Sequence, residues 1–557
     1  MKKTLLYMML CLVAVPCAFA GNDKAAKERK DWGYLTGSLE STNHFYVEDV
    51  ANNFFPSMQP QLKEGNIFAT NDYLKLDYYK DRLSAGMQLE GYFPALVGYP
   101  NVLKGMSLSN LYLAWRDKSY SVTLGSFYEQ FGSGLLFRSW EDRMLGLNNA
   151  MWGARATYNW EDKISAKLLW GVPRLGTGVS EEGFFGLGLT DTWSGGADLS
   201  ISLSELLGMS AVSLSLEGSF LTKYEGVSPE MAEKGYRPYN LGWSGRVNLE
   251  YDGLFMKGEY VDAGSQMINQ FLDPVKGNAQ LLEIGYNKKG LGVTLTGRRL
   301  ERMTQKIYAF TSDAPGYFST SNLMSYVPAM STQYTYMLTT LNPYSPVIGD
   351  VSKQAGEIGG QVDVFYNFRR GTTIGGKRGM KVHANFATYY TLNENGGVKG
   401  GKAIFRDFSF DVEKQWTKKF KSVLLYSLQE YNKIQPNTGC FIGLSHIVVA
   451  DLLYKWSPKF STRMELQYLT TKDDQGDWMA GLLEFNLAPH WSIYASDMWN
   501  HGGNGLHYYN GGASFTISHL RLAVGYGRYK AGFICSGGVC REIPAYTGAN
   551  ISLTASF

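Results

Sequence analysis

The sequence predicts an all-β chain, a transmembrane antiparallel up-and-down β-barrel of about 24 strands, within roughly 22 to 26. Three observations predict it. Apolar and polar residues alternate with period 2 in segment after segment, with no helical segments to cover the oily face. Tight turns alternate with longer connections, as in a barrel with short periplasmic turns and long extracellular loops. Aromatic residues stand just before successive tight turns, on the oily parity of their strands. Composition agrees, since aromatics reach 14 %, charged residues only 18 %, and Tyr (37) outnumbers Phe (29). Amphipathic rings of that kind suit the two water interfaces of a membrane.

Taken in order, residues 1–20 read as a secretory signal peptide. Lys2 and Lys3 are followed by the apolar stretch Thr4 to Val15 and by Ala18-Phe19-Ala20, a small-x-small cleavage site. Cys17 raises a lipoprotein alternative, which Pro16 argues against. The remainder holds no apolar run of 18 residues, which excludes a helical membrane protein. Residues 21–31 are polar and charged, a short flexible N-terminus, and the first alternating segment begins near Trp32. That spacing leaves no room for an N-terminal plug domain, which would need on the order of a hundred residues. Residues 32–557 are therefore expected to form a single transmembrane barrel.

The strands are plain in Leu83 to Tyr92, in Val212 to Phe220 and in Trp243 to Tyr251, where oily residues alternate with Ser, Glu, Gln and Arg. Eleven tight turns join pairs, from Lys80-Asp81 through Asp252-Gly253 and Arg369 to Gly379 to Ser518-His519. With the first and last strands they give 24. Tyr78, Trp115, Trp160, Tyr251, Tyr286, Tyr366, Trp416 and Trp456 form the expected girdle. The alternate positions, among them Lys75, Asp77, Gln88, Glu90, Arg246, Glu259, His383 and Glu465, face a lumen of mixed charge. Cross-strand stiffening of a wide barrel is an alternative reading of those charges.

Two stretches interrupt the pattern. Residues 129–153 concentrate Glu129, Arg138, Glu141, Asp142 and Arg143 around Gly132 and Gly134. Arg138 and Arg143 are placed to pair with those carboxylates, and a loop folded into the lumen would shelter the charges from lipid. That makes the stretch a candidate constriction, with a solvated external loop as the alternative. Residues 301–353 form a long aromatic, Pro-punctuated excursion, a candidate lid or second constriction. Its candidate ring contacts are Tyr317, Tyr334, Tyr336 and Tyr344. Near the end, Cys535 and Cys540 in C-S-G-G-V-C are a plausible disulfide, and Cys440 is left alone. The last residues, A-N-I-S-L-T-A-S-F, alternate to a terminal Phe557.

That ending resembles the final strand of bacterial outer-membrane barrels. The resemblance implies that Phe557 is part of the assembly signal read by the barrel-assembly machinery. F-G-S-G-L-L-F-R-S-W-E-D-R-M-L-G, Y-V-P-A-M-S-T-Q-Y-T-Y (Tyr326 to Tyr336) and G-E-I-G-G-Q-V-D-V-F-Y (Gly356 to Tyr366) together resemble an uncharacterised barrel family. The resemblance implies the outer membrane of Bacteroidota, and it brings no substrate or catalytic residue.

Enzymatic chemistry is not legible. His501-Gly502-Gly503-Asn504-Gly505 resembles the H-x-S-N-G motif of an outer-membrane phospholipase but has Gly where the nucleophilic Ser belongs. Lys472-Asp473-Asp474-Gln475-Gly476 lacks the ligand pattern of a calcium loop, and no cofactor or metal site is expected. The expected function is a passive channel or facilitator for hydrated polar solutes. The alternative is a non-conducting structural or assembly component of a secretion or uptake complex, with other outer-membrane proteins as partners; a hydrolase comes third. The small net charge of +3 makes no case for nucleic acid.

Overall fold

The computed structural model describes Trp32 to Phe557 apart from 63–64, 101–102, 175–185, 191, 228, 267–273, 304–323, 325, 328, 331–335, 339–354, 436–438, 474 and 538. The expected signal peptide and N-terminal stretch, residues 1–31, lie outside the described residues.

Twenty-four antiparallel strands pair in chain order into one sheet. The last, Tyr546–Ser556, pairs with the first, Tyr34–Tyr46, from Ser38 opposite Ser556 to Tyr46 opposite Gly548. The sheet therefore closes, which leaves no unpaired edge. An even strand number brings both strand ends to the rim that also carries the short turns. All eleven short connections fall where the turn chemistry puts them. At Asp252-Gly253 both φ values are positive (44° and 87°), the backbone that a tight type I′ hairpin turn requires.

Alternation fixes which face is which. In Val212–Tyr224 the outward Leu216 and Phe220 are exposed, whereas Ser219, Leu221 and Lys223 point inward and are buried. The same holds around the ring, with Trp243, Leu295, Val448, Leu466 and Leu483 among the outward residues. Trp115, Trp160, Tyr251, Trp416 and Trp456 stand exposed on that outer face at the short-turn rim. Toward the long-loop rim the outward face carries a second set of rings, with Trp193, Tyr224 and Tyr239 in mutual contact, and locally an Arg406–Glu430 pair at 3.1 Å. An oily belt with aromatic rings toward both rims is the surface a bilayer covers. No helix of the described residues is long and apolar enough to cross a membrane; the strands make the crossing.

The inner face changes along the barrel axis. At the short-turn end Lys257 and Lys381 keep 54 % and 63 % of their side-chain surface. Toward the long-loop end the inward residues are buried: Ser409, Ser427 and Glu465 on one side, Arg298 and Glu357 on another. Apolar residues also face inward there, including Val261, Ala387, Ile447, Val449, Leu469 and Trp478. A water-filled lumen would leave these groups wet. Something fills that half of the barrel.

Candidate functional site

Three of the long connections supply much of the filling. Residues 128–150 fold into two miniature hairpins. The first pairs Gln130–Phe131 with Phe137–Arg138, and the second pairs Glu141–Asp142 with Leu147–Asn148. Gly132 (φ 53°), Gly134 (φ 91°) and Gly146 (φ 70°) supply the left-handed backbone that such tight reversals need. Gly132 also passes so close to Arg246 and Glu259 of the wall that a Cβ would collide with both.

The first hairpin is oily. Phe131, Leu135, Leu136 and Phe137 are each 0 % exposed and pack against the inward Phe127, Leu169, Leu221, Val261, Ala279 and Leu300. Burying a side chain of that size stabilises by about 1.5 to 3 kcal/mol, so four of them fix the hairpin to the wall. The second hairpin is polar and reaches the first strands. Arg143 meets Glu40 at 2.7 Å and Glu141 at 3.5 Å, and its guanidinium lies 4.5 Å from the Tyr73 ring centroid. Gln88 donates to Glu141 at 2.6 Å. The segment thus touches walls far apart around the ring.

The candidate constriction residues are therefore not one cluster. Glu141 and Arg143 are together, and Asp142 accepts the Leu145 amide at 3.1 Å, closing the turn. Glu129 pairs instead with Arg155 and, at 2.9 Å, with Lys167, both inward residues of the wall. Burial alone would raise the Glu129 carboxyl; the Gln130 amide, Lys167 and Arg155 reverse that and hold it below its ordinary value. The expected pairing of Arg138 with carboxylates does not form. Its guanidinium lies 3.9 Å from the Tyr326 ring centroid and 5.1 Å from that of Trp140. An aromatic face from the second excursion takes the place of a carboxylate.

That second excursion supplies the next piece. Arg138 N donates to Met324 O and Tyr326 N to Gly134 O, each at 2.7 Å, so Met324 and Tyr326 extend the first hairpin by backbone bonds. Met330 packs on Ala387, Tyr389, Ile404, Phe405 and Tyr431. Leu338 joins the inward Leu425, Ile447, Val449, Leu469 and Trp478, and Tyr336 packs against the same group. The Leu338 amide donates to Gln467 at 2.7 Å. Of the candidate lid aromatics, Tyr336 is in the lumen, while Tyr317, Tyr334 and Tyr344 lie outside the described residues. The third piece is the hairpin Gly532–Ser536 with Val539–Ile543. Val327 N donates to its Gly537 O at 3.2 Å, and its Arg541 donates to Met144 O at 3.0 Å. Cys535 and Cys540 are opposite one another in its register, and their side chains, like that of Cys440, lie outside the described residues.

Sequence reasoning missed Arg155 and Lys167, although their inward parity was legible. It also missed the buried Arg174–Glu90 pair and the role of Tyr326, which no spacing announces. Below the filling, His383 bridges two carboxylates of its neighbouring strands, with Nε2 2.7 Å from Asp363 and Nδ1 2.7 Å from Asp411. Among the described residues no group of three or more His, Cys, Asp or Glu could hold a metal ion.

A closed sheet with an oily outer belt and a lumen filled from within defines a transmembrane β-barrel of the inward-folded-loop kind. The chain belongs to DUF6029, a family of unknown function, whose model matches residues 1–557. No curated protein matches it. Among solved structures it is similar to the translocation pore of the P pilus usher PapC, at 10 % identity over 94 % of this chain and 99 % of that one, TM-score 0.44. It is also similar to the siderophore receptor PirA from Pseudomonas aeruginosa, at 10 % identity over 95 % and 81 %, TM-score 0.45. A mutant of the Rh. blastica porin matches at 13 % identity over 62 % and 100 %, TM-score 0.27. Likeness this distant carries no argument about activity.

Proposed function

We propose that the protein is an outer-membrane channel held shut by the 128–150 segment, with the short turns in the periplasm. The observation that carries the reading is the contrast along the lumen. Charged side chains are accessible at the short-turn end, and oily hairpin residues are 0 % exposed at the other. A polar vestibule that stops at a docked hairpin is the form of a gated pore, and displacing the hairpin opens the way for hydrated polar solutes. The docking favours closure, because removing a buried Phe costs about 3 to 5 kcal/mol.

Planar-bilayer conductance tests it. The native barrel is expected to conduct little, and Phe131→Ser/Phe137→Ser or deletion of 131–137 to give openings several-fold larger. Silence from all three proteins, each shown folded, would overturn the channel. It would leave the second reading, a non-conducting structural barrel in a larger complex, which the apolar packing of the lumen favours.

A further inference from the structure

The short-turn rim is electrically lopsided. The turns of its first half carry Asp81, Asp117, Glu161, Asp162, Glu205 and Asp252. Cations answer several of them, with Arg82–Asp117 at 2.5 Å, Lys163–Glu161 at 2.7 Å and Lys288–Asp252 at 2.6 Å. Three later turns, 289–290, 369–379 and 416–419, contain Lys289, Arg369, Arg370, Lys377, Arg378, Lys418 and Lys419 and not one carboxylate. The nearest acid on the inner face, Glu413, is occupied by Lys381 at 3.6 Å and Lys421 at 3.1 Å.

The central turn of the three is built rather than loose. Gly371 N donates to Gly376 O and Gly376 N to Thr372 O, each at 2.7 Å, and Thr372 Oγ1 donates to Arg369 O at 2.8 Å. Lys414 then holds its crest from outside, donating to Ile374 O at 3.0 Å and Gly375 O at 2.9 Å. Lys414 is on the lipid-facing parity of its strand with Phe408 and Phe410, and its ammonium stands 5.9 Å from the Trp416 ring centroid. The turn therefore leans over the outer wall at the aromatic girdle. At its crest Ile374 is 56 % exposed, an oily side chain with no protein to cover it. At the base of the turn lies a concavity of about 480 Å³ lined by Lys289, Arg369, Arg370, Arg378 and Lys381, with Glu413, already paired with Lys381, as its carboxylate.

We propose that this turn is a docking site for the headgroups of anionic glycerophospholipids in the leaflet at the short-turn rim. Ile374 seats at the acyl boundary, and the guanidinium and ammonium groups surround the phosphate. Juxtamembrane clusters of Lys and Arg attract anionic headgroups, and forked guanidinium donors match phosphate oxygens. A soluble acidic partner would account for the cations but not for an exposed Ile on the lipid side. The proposal stands on the barrel crossing a bilayer and is independent of whether the barrel conducts.

The test is native mass spectrometry of the purified barrel in neutral detergent, with phosphatidylglycerol or phosphatidylethanolamine added at equal mole fraction. Phosphatidylglycerol should be retained several-fold over phosphatidylethanolamine, and the preference should fall toward unity in Arg369→Gln/Arg370→Gln/Arg378→Gln. Lys118→Gln/Lys163→Gln, on the mixed half of the rim, should keep it. Ile374→Ser should weaken retention of the lipid without changing the headgroup preference. Should the triple variant not fold, the native protein in 0.5 M salt serves, since screening at that strength should erase the preference. Equal retention of the two lipids, a preference that survives both the triple variant and high salt, or equal competition by soluble glycerol phosphate would overturn the proposal. Capture of an acidic protein in place of lipid would overturn it as well.

Discussion

Glu129 couples the lumenal hairpin to the wall at one atom pair each, through Arg155 and Lys167. Its carboxyl is held below the ordinary range, so the sign of the pH effect follows. The stabilisation is fully present above the unfolded-state pKa, about 4.3, and is lost as pH falls through the lower folded value. Glu129→Gln is therefore expected to raise conductance at neutral pH, with the gap between variant and native closing as pH falls below the ordinary carboxylate range. Single-channel recordings from pH 7 to 3 check it, and a constant gap would refute the role. Arg138 differs in kind. Its contact is the Tyr326 face, so Arg138→Lys keeps the charge but loses the planar stacking surface.

Strand identity was legible because a membrane barrel writes its rule on every strand. The oily parity of Val212–Tyr224 and the Asp252-Gly253 turn each specify their own local geometry. The closing seam was legible as a pairing but not as a fit. Gly37 N donates to Phe557 O at 2.8 Å and Phe557 N to Gly37 O at 3.0 Å, and the Phe557 ring occupies the space where a Gly37 Cβ would stand. Gly37 is thus a notch for the terminal ring. Gly37→Val is expected to lower the folded fraction as much as Phe557→Ala does, and combining the two should add little, because they break one contact. Heat-modifiable mobility on gels reads the folded fraction, and full additivity would contradict the notch. No periodicity reveals it, since it joins residues 520 positions apart.

At the scale of the whole barrel, the lumen was the part least legible. Alternation implies that inward means wet, and Ile447 and Val449 break that rule within the run I-V-V-A. The breach makes sense once Leu338 covers them. Parity says which way a side chain points and nothing about what meets it there. Water-soluble maleimide labelling maps the result directly, in a chain whose Cys440, Cys535 and Cys540 are replaced by Ser. Lys257→Cys and Lys381→Cys should react about tenfold faster than Ser409→Cys and Ser427→Cys, since thiol reaction requires access. Equal rates would mean that the lumen is open throughout.

The lumenal filling is drawn from early, middle and late parts of the chain, and its late part is the connection just ahead of the closing strand. Gly537 meets the Tyr326 ring, and Arg541 reaches Met144. The interior is therefore complete only when the final hairpin arrives, in the same step that seals the wall. A nascent barrel with its seam still apart has an unfinished interior, so completing the interior and closing the cylinder go together.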